Sequence, residues 1–127
     1  MTALSENAIT LLSTTSITDM SVEAIQNLYT VPVGKKCILA FAFLEVDGDL
    51  GAAGVITIGS GAGATDFVGT TNVDNADADG DVILIAPVPS ATPATMKAYA
   101  AGTVISLDVA TGAAAQTGTL YLFGFLY

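Results

Sequence analysis

Histidine, arginine and tryptophan are missing altogether from this 127-residue sequence, and cysteine occurs once. Without histidine the chain lacks the usual acid–base group of neutral pH and the commonest metal ligand. A serine nucleophile would have no imidazole to activate it, and Lys97 stands in no Ser-x-x-Lys motif, so no enzymatic activity is expected. The lone Cys37 excludes an internal disulfide and a cysteine-rich zinc site. It lies in the apolar run Cys37-Ile38-Leu39-Ala40-Phe41 and reads as an inert core thiol. Lys35 and Lys36 beside it leave a reactive thiol as the alternative. Cations are scarce: three lysines face twelve acidic residues, for a net charge of -9. Neutralising phosphates takes clustered lysine and arginine, so neither nucleic acid nor an anionic membrane is expected as a partner. The apolar runs 37–44 and 120–127 are about half the length of a membrane-spanning helix. Residues 1–7 carry no basic leader, so synthesis and use in a cytoplasm-like compartment are expected.

What is present is apolar and β-prone. Hydrophobic residues make up 52% and charged residues 12%, about half the charge of an ordinary soluble domain. This composition argues against disorder, and part of the surface is expected to be covered by other protein. β-rich runs at 8–12, 27–31, 36–46, 54–58, 66–70, 82–86, 103–109 and 119–126 alternate with Gly, Asp and Pro punctuation. That spacing predicts an all-β, antiparallel β-sandwich, a jelly roll of about eight strands. Ile105, Leu107 and Val109 alternate with Ser106 and Asp108, the period of a half-buried strand. Residues 27–127 form the expected sandwich domain. The Ser/Thr-rich stretch 1–26 is read as an N-terminal arm or a first strand. Short helices are expected at 18–26 and at 92–102, the latter from Thr92 as cap, Pro93 at its first position and Gly102 past its end. Asp47-Gly48 suggests a tight hairpin.

Three motifs invite chemistry. Gly59-Ser60-Gly61-Ala62-Gly63-Ala64 fits the dinucleotide fingerprint in letters, but a β-prone stretch follows where a helix is needed, so an ordinary loop is expected. Asn75-Ala76-Asp77-Ala78-Asp79-Gly80-Asp81 resembles half a calcium loop, yet its closing Glu position is Ala86. A solvated turn is expected there, with a bound cation as the alternative and no cofactor otherwise. Glu45 with Asp47 or Asp49 is the nearest carboxylate pair for glycoside chemistry and reads as strand-edge solubility.

The carboxyl end is the most unusual segment. Tyr121, Phe123, Phe125 and Tyr127 alternate with Leu120, Leu122, Gly124 and Leu126. A strand with one wet face would not have both faces apolar, so it lies between two apolar layers or turns one face to another subunit. The terminal strand of an outer-membrane barrel is a third reading. On 36–46, Leu39, Phe41 and Phe43 are read as one large-residue face and Ala40 and Ala42 as a small one that lets another surface approach. The candidate interface is therefore Tyr121, Phe123, Phe125, Tyr127, Ala40 and Ala42, with no catalytic, cofactor or metal residues assigned.

The run Leu28-Tyr29-Thr30-Val31-Pro32-Val33-Gly34-Lys35-Lys36-Cys37-Ile38-Leu39 resembles the opening of small bacteriophage virion proteins of jelly-roll or β-sandwich type. Ala101-Gly102-Thr103-Val104 and Gly118-Thr119-Leu120-Tyr121-Leu122-Phe123-Gly124-Phe125 are similar to later strands of the same proteins. The resemblance implies a capsid decoration (cement) protein. Such a protein is made in the host cytoplasm and placed in the virion. It forms a homodimer or homotrimer and binds the major capsid protein or another virion protein. A carbohydrate- or ligand-binding sandwich module, or a fibre or tail component, is the alternative. The module would need Tyr29, Tyr99 or Tyr127 in an open groove.

Overall fold

A computed structural model of the chain describes residues 8–61, 63–87 and 96–127. Among the described residues nine strands follow one another: β1 (Thr10–Ile17), β2 (Ile25–Thr30), β3 (Cys37–Val46), β4 (Val55–Gly59), β5 (Val68–Asn72), β6 (Val82–Ile85), β7 (Ala98–Tyr99), β8 (Val104–Thr111) and β9 (Gly118–Leu126). They build two antiparallel sheets. Sheet A has the order β1-β9-β3-β6, with β7 also paired to β3; sheet B has the order β2-β8-β4-β5.

The order has a simple logic. β1 pairs with β9, β2 with β8, β3 with β6 and β4 with β5. Setting the two-residue β7 aside, these are the four rungs of one long hairpin of eight strands, rolled so that successive rungs fall alternately in sheet A and sheet B. That is the jelly roll. The eight strands expected from sequence are all present, and β7 is a ninth.

Rolling explains where local reading went astray. Asp47-Gly48 opens no hairpin, because β3 and β4 lie in different sheets and the connection 47–54 crosses between them. Neither expected helix is found among the described residues. Over 18–26, the Asp19 carboxylate takes the Ser21 N–H at 2.8 Å, an Asx turn that competes with a helix, and β2 begins at Ile25. Of the segment 92–102, residues 92–95 lie outside the described residues. The rest forms β7 and a turn in which Thr103 N–H donates to Ala100 O at 3.1 Å. Gly102 sits there at φ +83°, as the third position of a type II turn demands, and not as a helix cap. At the amino end, β1 is hydrogen-bonded to β9 from Thr10 to Ile17 and so forms the outer strand of sheet A.

The core lies between the sheets. Leu39, Ala42, Leu44, Leu120 and Leu122 come from sheet A, and Ile56, Ile58, Ile105 and Leu107 from sheet B, all essentially inaccessible. Met20, Leu50 and Val73, from the connections, close the open sides. Burying branched side chains on both inner faces is what holds a sandwich together.

Candidate interaction surface

The surface begins with a one-residue slip. β3 pairs with β9 as Leu39↔Gly124 and then Phe41↔Phe123, leaving Ala40 as the extra residue of a bulge. Side chains alternate along a strand, so one extra residue exchanges the two faces. Before the bulge Leu39 points into the core; after it Ala42, Leu44 and Val46 do. Phe41 and Phe43 are turned outward. This corrects the expectation that Leu39 shares a face with the two phenylalanines. It also removes Ala42 from any exterior surface, since its relative exposure is 0%. Ala40, half-buried, stays at the bulge.

β9 divides cleanly. Leu120 and Leu122 enter the core, while Tyr121, Phe123 and Phe125 are half-buried on the opposite face. Directly opposed residues share a face, so the register assembles the outer side of sheet A. Phe123 is flanked by Phe41 and Leu11, Tyr121 by Phe43 and Thr14, and Phe125 by Ile38. Phe43 is flanked in turn by Leu84 of β6. The rings pack on one another: Phe41 and Phe123 stack at 4.8 Å between centroids, and Phe43 meets Phe41 at 5.3 Å and Phe123 edge-on at 5.5 Å. Phe125 stacks on Tyr127 at 5.6 Å. Leu11 and Leu84 at the rim are 46% and 63% exposed. Ser16, Thr119 and Glu45, mutually in register, form the polar end. The acidic residues at this end are Glu45 and, just beyond it, Asp47, whose carboxylate accepts from the Thr117 hydroxyl.

Sheet B is built the opposite way. Its outer positions include Ile25, Asn27, Ser106, Thr57, Gly59 and Asp108; Ile25 and Asn27 are exposed, while the loop between β4 and β5 folds back over Gly59 and approaches Asp108. Thr57 and Ser106 are consequently only 6% and 4% exposed. A side chain at Gly59 would come within 2.8 Å of Ala64 of that loop. The glycine-rich motif thus serves a close backbone approach, with β5 rather than a helix after it.

One polar cluster was not legible in the sequence. Asp66 accepts from Ser60 N at 2.9 Å and Tyr99 Oη at 3.2 Å on Oδ1, and from Ser60 Oγ and Lys97 Nζ (2.9 Å) on Oδ2. It clasps the β4–β5 loop to β7. Burial pulls the Asp66 pKa upward, but the bonds from Ser60 and Lys97 outweigh it and hold the carboxyl below its ordinary value. Tyr99 is raised, by burial first and by Asp66 second. Burial pushes the Cys37 thiol up to about 11, the property of an inert core thiol.

The acidic loop is self-contained. Asp81 Oδ2 accepts the N–H groups of Asp77 and Ala78, both at 3.0 Å. Gly80 N–H donates to Val46 O at 2.8 Å, tying the loop to the end of β3. Among the described residues no three acidic, cysteine or histidine side chains gather as a metal-holding group. Of the tyrosines named for a ligand groove, Tyr99 is buried, Tyr29 packs against the core and Tyr127 stacks on Phe125. A shallow open groove of about 220 Å³ lies between the β1–β2 turn and β8, lined by Ile17, Val22, Ile25 and Val109 among others.

No protein-family model, curated protein or solved structure matches the chain.

Proposed function

We propose that the chain is a structural subunit of a larger particle: a virion protein, and within that class a capsid decoration (cement) protein. It associates with its own copies and binds the shell through the outer face of sheet A. The observation that carries this reading is the contrast between the two outer faces. Sheet B covers the centre of its outer face, at Thr57, Gly59 and Ser106, with its own loop. Sheet A leaves a stacked aromatic surface, rimmed by exposed leucines, without cover among the described residues. Apolar surface of that kind on a soluble domain marks contact with other protein, and Phe and Tyr are enriched at the centres of such contacts.

The mechanism needs binding energy and no chemistry. A rigid sandwich is ordered before it binds, so little conformational entropy is lost on docking. Binding only the assembled shell favours that state by mass action, and copies joined to one another bind with avidity. Co-sedimentation of the purified chain with intact particles, with copy number by mass spectrometry, tests the reading. The double variant Phe41→Ser/Phe123→Ser is expected to keep its β-type circular dichroism and lose particle binding. A variant that binds as tightly as the natural chain would sink the proposal.

A further inference from the structure

Each sheet ends in edges, and the edges are not alike. A bare edge accepts any extended chain, so proteins blunt theirs with shortness, charge, proline or irregular pairing. β6 is four residues long, starts after Asp81 and is followed by Pro87. β5 has five residues, includes Gly69 and pairs irregularly. β2 has six, with an irregularity between Asn27 and Tyr29. β1 has eight, TLLSTTSI, with neither charge nor proline, and its one irregularity lies near its start. From Ser13 to Ile17 it runs in unbroken register with β9.

The direction of its free groups can be read from one hydrogen bond. Gln26 Nε2, reaching over from β2, donates to Ser16 O at 2.7 Å, on the side of β1 away from β9. Main-chain groups alternate in direction along an antiparallel strand, so Thr14 turns its N–H and C=O to that same side. β1 pairs with β9 alone, so neither has a strand partner among the described residues.

We infer that a second copy of this chain adds its own β1 to this edge, antiparallel and about a twofold axis, so that one sheet runs through both molecules. Charge selects the occupant. At -9 per chain, two copies repel wherever acidic surfaces meet. β1 and its outer-face neighbours on β9, Tyr121 and Phe123, bear no charge. An antiparallel strand pair about a twofold is self-complementary and closes after two copies. It leaves the two aromatic faces side by side, as one wider surface. The inference rests on the self-association in the proposed function and is independent of shell binding.

Cysteine cross-linking tests it. Residues facing each other across an antiparallel pair have Cα atoms about 4.5–5.5 Å apart, within reach of a disulfide. Leu11→Cys, Thr14→Cys and Ser16→Cys are oxidised mildly, each alone and in mixtures of two, Cys37 being buried. One variant or one mixture is expected to give a covalent dimer in at least about five-fold higher yield than the others, because each position of the twofold brings one set of residues face to face. Thr14→Pro removes the outward N–H from both copies. It is expected to raise the dimer dissociation constant about tenfold or more, from two bonds of about 1 kcal/mol each, with the circular dichroism unchanged. If that variant does not fold, the cross-linking decides alone. A chain that is dimeric by light scattering yet cross-links at none of the three positions overturns this edge and leaves the assembly reading standing. A monomer at about 1 mM overturns both.

Discussion

Asp66 joins residues that lie far apart in sequence, and its removal has a definite cost. Tyr99 is 2% exposed and its hydroxyl donates to Asp66. In Asp66→Ala that donor is buried without its acceptor, which costs about 1–3 kcal/mol; thermal melts should fall accordingly, while Asp66→Asn, which keeps an acceptor oxygen, should lose less. The exposed Lys97 ion pair adds little to this. The same carboxylate makes stability depend on acid. Its folded pKa lies below the ordinary 3.8, so the stability it contributes is complete well above 3.8 and is lost as pH falls through the folded value. Denaturant midpoints should therefore drop below about pH 4, and the drop should shrink in Asp66→Asn. Nothing in the sequence pointed to this cluster. Its partners Lys97 and Tyr99 stand 31 and 33 residues away, and only the approach of β7 to the β4–β5 loop brings them together.

Within β9, neighbouring residues have opposite duties. Leu122 is fully buried between the sheets, whereas Phe123 lies on the outer face against Phe41. Leu122→Ala should destabilise the domain by about 2–5 kcal/mol and leave association of the remaining folded protein unchanged. Phe123→Ala should lose less, because its ring is only partly buried and the ring pair is worth about 0.5–1.5 kcal/mol beyond area, yet it should weaken particle binding. Urea unfolding and co-sedimentation of both variants separate the two effects. The alternation that assigns these roles was readable in β9, where the strand is regular. In β3 it was not, because the bulge at Ala40 exchanges faces halfway. Strict alternation through β3 therefore puts Ala42 on the wrong side and separates Phe41 and Phe43 from the β9 aromatics. Bulges arise from pairing with a partner strand, and a single strand's sequence carries no mark of where its partner will slip.

For the whole molecule, charge and apolar surface oppose one another. The chain carries -9 overall, while one outer face and the β1 edge are almost uncharged. Salt screens the repulsion over about 10 Å at 0.1 M and leaves apolar contact intact. Self-association measured by sedimentation equilibrium should therefore strengthen between about 0.02 and 0.5 M NaCl. A contact between oppositely charged patches would weaken instead. Composition and periodicity by themselves determined the all-β class, the eight principal strands and the apolar excess, because each follows from side-chain chemistry repeated at period two along a single segment. The rolled pairing of β1 with β9, the face on which each aromatic lies, the Asp66 clasp and the bare β1 edge were decided only by the tertiary structure. Each is a relation between segments up to the full chain length apart, fixed when the core closes and invisible to any window of neighbouring residues.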